Sequence, residues 1–252
     1  MKFESASHQG NSPAVSTTQS GIHRRLAQLI RFQQRAHWEP RPLQLSATQK
    51  TRLTNDRRPR ILDACCGNGE STYLLAERYP EHLVIGFDKS AARLSPVLES
   101  EHQPDNVFFL LADAPSVWRH ARLAQWVIAH QFLLYPNPWP KPRHVQKRWY
   151  AHPAFRDVLA NGGVFELRTN WRLYAEECRH CLHANGVRQV RLELLNGAAA
   201  IEAEAGPEKP SVQAKPISPF ERKYRASGHQ LYRLRATLNV PRGESGTCTA
   251  LK

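Results

Sequence analysis

Apolar and polar positions along the chain follow two rhythms, a helical one near the start and a strand-like one after residue 59. Ile22, Leu26, Leu29, Ile30 and Phe32 recur near helical spacing among Arg24, Arg25, Arg31 and Arg35, which predicts an amphipathic helix over 22–36 with a basic outer face. Pro40, Arg41 and Pro42 break it, and a short second helix is expected over 46–55. Short apolar runs then predict strands at 60–63, 83–88, 107–111 and 126–134, with helices at 71–78 and 91–99 between the first three. A turn at Asn161, Gly162 and Gly163 leads to a strand at 164–168, a helix at 171–184 and a last strand within 230–238. This alternation points to the α/β class and a Rossmann-like, doubly wound, mostly parallel sheet. The domain is expected over 59–240, with a helical segment at 21–58 before it and an exposed connection at 196–210. Residues 1–20 and 241–252 read as polar tails with too few apolar anchors to offset the entropy of ordering.

The stretch from Tyr135 to His144 stands apart, because Pro136, Pro138, Pro140 and Pro142 exclude helix and central strand while Asn137, Trp139, Lys141, Arg143 and His144 crowd between them. It follows the apolar run ending at Leu134, so it leaves the carboxyl edge of the sheet, where open α/β folds bind ligands. Trp139 either stacks on an extruded base or caps the core, and both readings stand at this level. Arg143, Lys147 and Arg148 are candidates for phosphate contacts, which position a nucleic acid without reading its sequence.

Three acids close three of the predicted strands. Asp63, Asp88 and Asp113 follow the runs at 60–63, 83–88 and 107–111, and Gly67 and Gly69 form a tight turn after the first. Asp88 suits both ribose hydroxyls, Asp113 an adenine amino group, and Asp63 the ammonium of a methionyl moiety, directly or through water. An acid just before the glycine turn disfavours a pyrophosphate and favours a cofactor with an ammonium and a sulfonium. S-adenosylmethionine is therefore expected rather than a dinucleotide.

Composition sharpens the partner. Lys and Arg number 35 against 22 acids in 252 residues, a formal charge of +13, which favours a polyanion through counterion release. Five cysteines, two of them adjacent at Cys65 and Cys66, make no plausible disulfide framework and suggest a reducing cytoplasm. Cys65 and Cys66 read as small side chains near the cofactor. Cys178 and Cys181 lack the second ligand pair of a structural zinc site, so no metal is expected. No apolar run reaches the roughly 18 residues of a membrane span, so no membrane partner is expected either.

The motifs "LLYPNPWPKPRH", "KRW" with "HPAF", "NGGVFELRTNWRLYAEE" and "SPFERKYRASGH" occur in that order. Through them the chain, over about residues 60–235, resembles the bacterial tRNA (guanine-N(7)) methyltransferase family. The resemblance implies a Rossmann-like domain of the class I methyltransferase type that uses S-adenosylmethionine to methylate guanine in the variable loop of tRNA. It implies cofactor contacts at Asp63, Gly67, Gly69, Asp88, Asp113 and Asn137. Substrate contacts are implied at Lys141, Arg143, Arg148, Asn170, Ser218 and Glu221, with Asn137 and Glu221 in the catalytic role. The family more often has Glu at the positions of Asp63 and Asp88, Asp at those of Asn137 and Asn170, and Gly at those of Cys65 and Tyr224.

Guanine N7 carries a lone pair and no proton, so its methylation needs in-line approach in a dry pocket and no general base. Asn137 is expected to fix the base, and Glu221, still ionised, to offset the charge that develops on the ring. A second reading keeps the cofactor pocket and the RNA surface without turnover, because two family acids are amides here. A third is a small-molecule methyltransferase, which the net charge makes less attractive. Monomer and homodimer are equally compatible with the sequence.

Overall fold

The computed structural model describes residues 19–35, 38–195, 200–202 and 215–238. All but Gln19 and Ser20 of the tail expected at 1–20, the whole tail expected at 241–252 and most of the connection at 196–210 lie outside the described residues, and Gln19 and Ser20 open the first helix. Two helices come first, α1 (Gln19–Gln33) and α2 (Ala47–Asn55). Strand and helix then alternate through β1 (Arg60–Ala64), α3 (Glu70–Arg78), β2 (Leu83–Asp88), α4 (Ala91–Leu98), β3 (Val107–Leu111) and α5 (Ala114–Leu123). The second half comprises β4 (Ile128–Leu134), α6 (Phe155–Asn161), β5 (Gly163–Thr169), α7 (Arg172–Ala184), β6 (Val190–Leu194), β7 (Ala200–Glu202), α8 (Pro219–Ala226) and β8 (Tyr232–Leu238). A 3-10 turn, Pro142–Lys147, carries the second half of the proline-rich stretch.

The sheet order is β3-β2-β1-β4-β5-β8-β6-β7. β1 to β5 pair in parallel, whereas β8 runs antiparallel to both β5 and β6, so the sheet is doubly wound and mostly parallel as expected. Every residue of β1 and β2 is buried, the signature of parallel strands covered on both faces. One face packs Leu62, Phe87 and Leu133 against Leu29 of α1, Val117 and Trp118 of α5, Phe155 of α6 and Tyr174 of α7. The other packs Ile61, Val84, Phe109 and Phe132 against Leu75 of α3 and Leu94 of α4. The strand order reverses between β1 and β4, and the carboxyl edge at that switch point is where such sheets bind ligands.

Several boundaries move for identifiable reasons. Ser46 is the N-cap of α2 and closes a reciprocal capping box with Gln49, so the helix begins one residue later than expected. The fourth strand begins at Ile128 because Trp126 N–H still bonds Ala121 O at the end of α5. The pattern does not predict α5, α6, β6, β7 or α8, and β7 stands inside the connection expected at 196–210. α5 carries its own start signals, Asp113 as N-cap with Pro115 in the first turn.

Candidate active site at the carboxyl edge of the sheet

β1 ends in a backbone that only a constrained site tolerates. Cys65 adopts φ +61°, and Gly67 and Gly69 follow at +63° and +80°, turning the chain from strand into α3 within five residues. A Cβ on Gly69 would lie 2.7 Å from the Phe109 ring, so the absence of a side chain there serves the close packing of this turn against β3. Gly67 differs. The nearest atom to a Cβ built there is Arg93 Nη1 at 4.0 Å, which leaves its outer side open. Cys65 is exposed, yet desolvation pushes its thiol up to about 12, with the Asp88 and Asp63 charges adding to the shift. An accessible group that is also desolvated lies in a recess.

The three acids line the same edge in different states. Asp63 is fully buried, and its Oδ2 accepts from Ser71 Oγ at 2.6 Å and Thr72 Oγ1 at 2.8 Å. Its Oδ1 is buried with no protein partner among the described residues. Burial raises its pKa to about 6, against the lowering effect of the two hydroxyls. Asp88 accepts from Gly67 N at 3.1 Å and Ser90 N at 2.8 Å, and Arg93 Nη2 lies 3.0 Å from its Oδ1. Asp113 caps α5 by accepting from Ser116 N at 2.8 Å. Beside Asp88 in the β2–β3 register lies Leu111, whose side chain is half exposed where the rest of β3 is buried. Sequence reasoning passed over Leu111, although an apolar residue at a strand end just before the acid was the signal. An orphaned carboxylate oxygen, open space over Gly67 and an apolar surface beside Asp88 together fit a ligand carrying an ammonium, a ribose and an adenine.

Across the switch point β4 ends in the same way as β1. Tyr135 takes φ +51° while its N–H bonds Arg168 O on β5 at 2.8 Å. Its hydroxyl is buried with no protein partner among the described residues, and burial pushes the phenol well up. Asn137 is exposed, and its Oδ1 accepts from Trp139 N at 3.1 Å, which tightens the loop and leaves the amide N–H groups outward. Trp139, at φ +47°, is held by Lys147 Nζ 4.6 Å from its ring centroid and by the edge of His144 at 5.5 Å. Lys141 and Arg143 are exposed on the same loop.

Three expected substrate contacts are instead structural. Arg148 is buried, donates to Glu177 on α7 and to Trp139 O at 3.1 Å, and so clamps the loop from beneath with no access to a phosphate. Tyr150 also donates to Glu177, at 2.6 Å. Ser218 is the buried N-cap of α8, accepting from Glu221 N at 3.1 Å. Glu221 is fully buried between Arg168 and Arg225, each at 2.7 Å, so two guanidiniums already match its charge and none is left for a methylated ring. Asn170 is half-buried and bonds His229 at 3.0 Å. Cys66, Cys178 and Cys181 are free thiols buried in the core.

Comparison with known proteins follows the geometry. A family model described as "Putative methyltransferase" matches residues 57–234. A tRNA (guanine-N(7)-)-methyltransferase of Leifsonia xyli subsp. xyli is 32% identical over 181 residues, covering 70% of this chain and 74% of that protein. One from Alkalilimnicola ehrlichii is 32% identical over 187 residues, covering 71% and 72%. Among solved structures, the antibiotic-resistance methyltransferase Kmr superposes with a TM-score of 0.50 at 15% identity over 78% of this chain and 94% of that one, a likeness of fold.

Proposed function

The chain belongs to the tRNA (guanine-N(7)-)-methyltransferase family and is an enzyme of that type, and we propose that it draws its methyl group from S-adenosylmethionine held at the β1–β4 switch point. That membership does not favour the non-catalytic and small-molecule alternatives. The observation that carries the proposal is the pairing at adjacent strand ends. A strained turn with an orphaned carboxylate oxygen ends β1, and a strained, proline-stiffened loop bearing exposed cations ends β4.

When bound, S-adenosylmethionine supplies a methyl group made electrophilic by its sulfonium. Asp63 Oδ1 would take the ammonium, Gly67 would let the backbone approach, Asp88 would meet the ribose, and Asp113 with Leu111 the adenine. Guanine N7 presents its lone pair without losing a proton, so the chain needs no general base at the site and must orient the ring and exclude water. The outward amide of Asn137 can donate to the guanine carbonyl. Lys141, Arg143 and Lys147 are exposed for phosphates of the tRNA. A tRNA substrate and free Cys65, Cys66, Cys178 and Cys181 support a cytoplasmic setting.

The test is direct. Purified protein is incubated with S-adenosylmethionine labelled in its methyl group and bulk tRNA from a strain lacking its own copy of this enzyme. Label is expected in tRNA, as 7-methylguanine after hydrolysis. Folded protein that binds the tRNA and transfers no label would sink the proposal.

A further inference from the structure

The basic face of α1 takes no part in the chemistry above. Its arginines divide into two kinds. Arg25 turns inward, with Nε 3.4 Å from Glu177 Oε1, and belongs to the buried clamp under the loop. Arg31 in the last turn of α1 and Arg35 two residues beyond its end, where its N–H bonds Phe32 O at 3.3 Å, are exposed, and among the described residues no carboxylate pairs with either. Most other described arginines, from Arg58 to Arg235, have such a partner. The Arg35 guanidinium lies 4.9 Å over the Phe32 ring, and its Nη2 donates to Gln146 Oε1 at 3.2 Å. Gln146 precedes Lys147 in the 3-10 turn that also carries Arg143, so the end of α1 abuts the basic loop.

α1 is also held firmly in place. Gln33 is buried, donates to Tyr150 O at 3.0 Å and accepts from Asn185 Nδ2 at 2.9 Å, and Leu29 is in the core. We propose that Arg31 and Arg35 extend the loop's cations into one phosphate-binding track, so that the carboxyl end of α1 and the turn after it are a second RNA-binding element seating the tRNA backbone beside the nucleotide offered to the switch point. This rests on the reading that the substrate is tRNA, but the family match begins only at residue 57 and assigns nothing to α1. A guanidinium suits phosphate through its planar fork, and one already stacked on a ring loses little freedom on binding. No base contact is implied, so the track adds affinity and register, not sequence choice.

The full chain and Arg31→Ala/Arg35→Ala are titrated with unfractionated tRNA between 50 and 200 mM salt. The double variant is expected to bind roughly tenfold more weakly near physiological salt, and its plot of log K against log salt to be shallower by about 2, one unit per lost phosphate contact. Its affinity for S-adenosylhomocysteine, read by calorimetry, should be unchanged, which separates loss of the track from loss of fold. Arg35→Lys, which keeps the charge, should retain most of the slope. Arg78→Ala, an exposed cation in the last turn of α3 on the other face of the sheet, should behave as the parent. Equal slopes for the parent and the double variant would overturn the track. So would an equal loss for Arg78→Ala, which would make the effect one of net charge alone. A parent that binds S-adenosylhomocysteine and no tRNA would overturn this inference together with the tRNA reading beneath it.

Discussion

The two sides of the switch point are built by different means. On the β1–β3 side the polar contacts of the proposed cofactor residues close over short stretches of chain. Asp113 reaches Ser116, Asp63 reaches Ser71 and Thr72, and Asp88 reaches back 21 residues to Gly67. On the β4–β5 side the partners are remote: Arg148 meets Glu177 29 residues on, and Arg168 meets Glu221 53 residues on. The first side uses mainly neutral donors, hydroxyls and backbone N–H, with the half-exposed Arg93 beside Asp88 as the exception. The second uses full counter-charges. Arg235, Glu166, Arg168, Glu221 and Arg225 form an unbroken alternation across β8, β5 and α8. A turn that must admit a charged ligand can leave an acid under-matched, whereas a loop that must hold one shape for a large substrate is fixed by saturated ion pairs.

The largest effect expected from this contrast is on stability. Glu221→Gln removes the charge that two buried or half-buried guanidiniums share and should cost about 3 kcal/mol in urea unfolding, the scale of breaking a buried pair. Asp113→Asn keeps the N-cap acceptor and should cost almost nothing. A loss below about 0.5 kcal/mol for Glu221→Gln, no more than an ordinary surface change, would erase the distinction between the two sides.

The same contrast explains what could be read from the chain. The short apolar runs locate β1 to β5, and an Asp closing each of the first three marks the acids, because their contacts are local and periodicity reports local structure. The resemblance assigns Arg148 and Glu221 to substrate, because nothing in their neighbours indicates that α7 and β5 hold their partners. α8 illustrates the boundary between the two cases. Its Ser218, Pro219 and Glu221 spell a helix start, yet the burial of Glu221 follows only from Arg168 on a strand 53 residues away. Charge type alone does not tell a phosphate-binding arginine from a buried clamp.

The next effect is one of pH, and the under-matched side supplies it. Burial lifts the Asp63 pKa to about 6 from 3.8. Between those values the folded chain holds a proton that the unfolded chain has released. The associated stability is therefore full below about pH 4 and lost as pH rises through 6. A shift of about 2 units corresponds to about 3 kcal/mol at most. The unfolding free energy of Asp63→Asn relative to the parent should accordingly move in the variant's favour between pH 4 and pH 7. A flat difference would mean that the carboxylate is already well matched. His152 works in the opposite direction, since burial lowers it to about 4, so the stability tied to its neutral form is full above about pH 6.5 and lost as pH falls through 4. Both proteins carry His152, so it cancels in the comparison. Adding S-adenosylhomocysteine, which has an ammonium, should pull the Asp63 transition to lower pH if that group reaches Oδ1.

The smallest effect concerns the strain at the ends of β1 and β4. Cys65 at φ +61° and Tyr135 at φ +51° stand on adjacent strands in a region where side chains cost of order 1 kcal/mol or more. Cys65→Gly removes that cost, but it gives the unfolded chain about 0.5–1 kcal/mol of extra freedom and deletes the contacts of the thiol, so against the parent these nearly cancel. Against Cys65→Ala, which keeps the strained backbone and deletes the thiol, Cys65→Gly should be more stable by about 1 kcal/mol. The pair of variants isolates backbone from side chain. A thiol pushed up to about 12 is also a poor nucleophile, so the parent should react slowly with iodoacetamide at pH 8 despite its exposure. Equal stability of the two variants together with fast alkylation would mean that neither strain nor recess exists at this turn, and the β1 end would lose its claim to be shaped for a ligand.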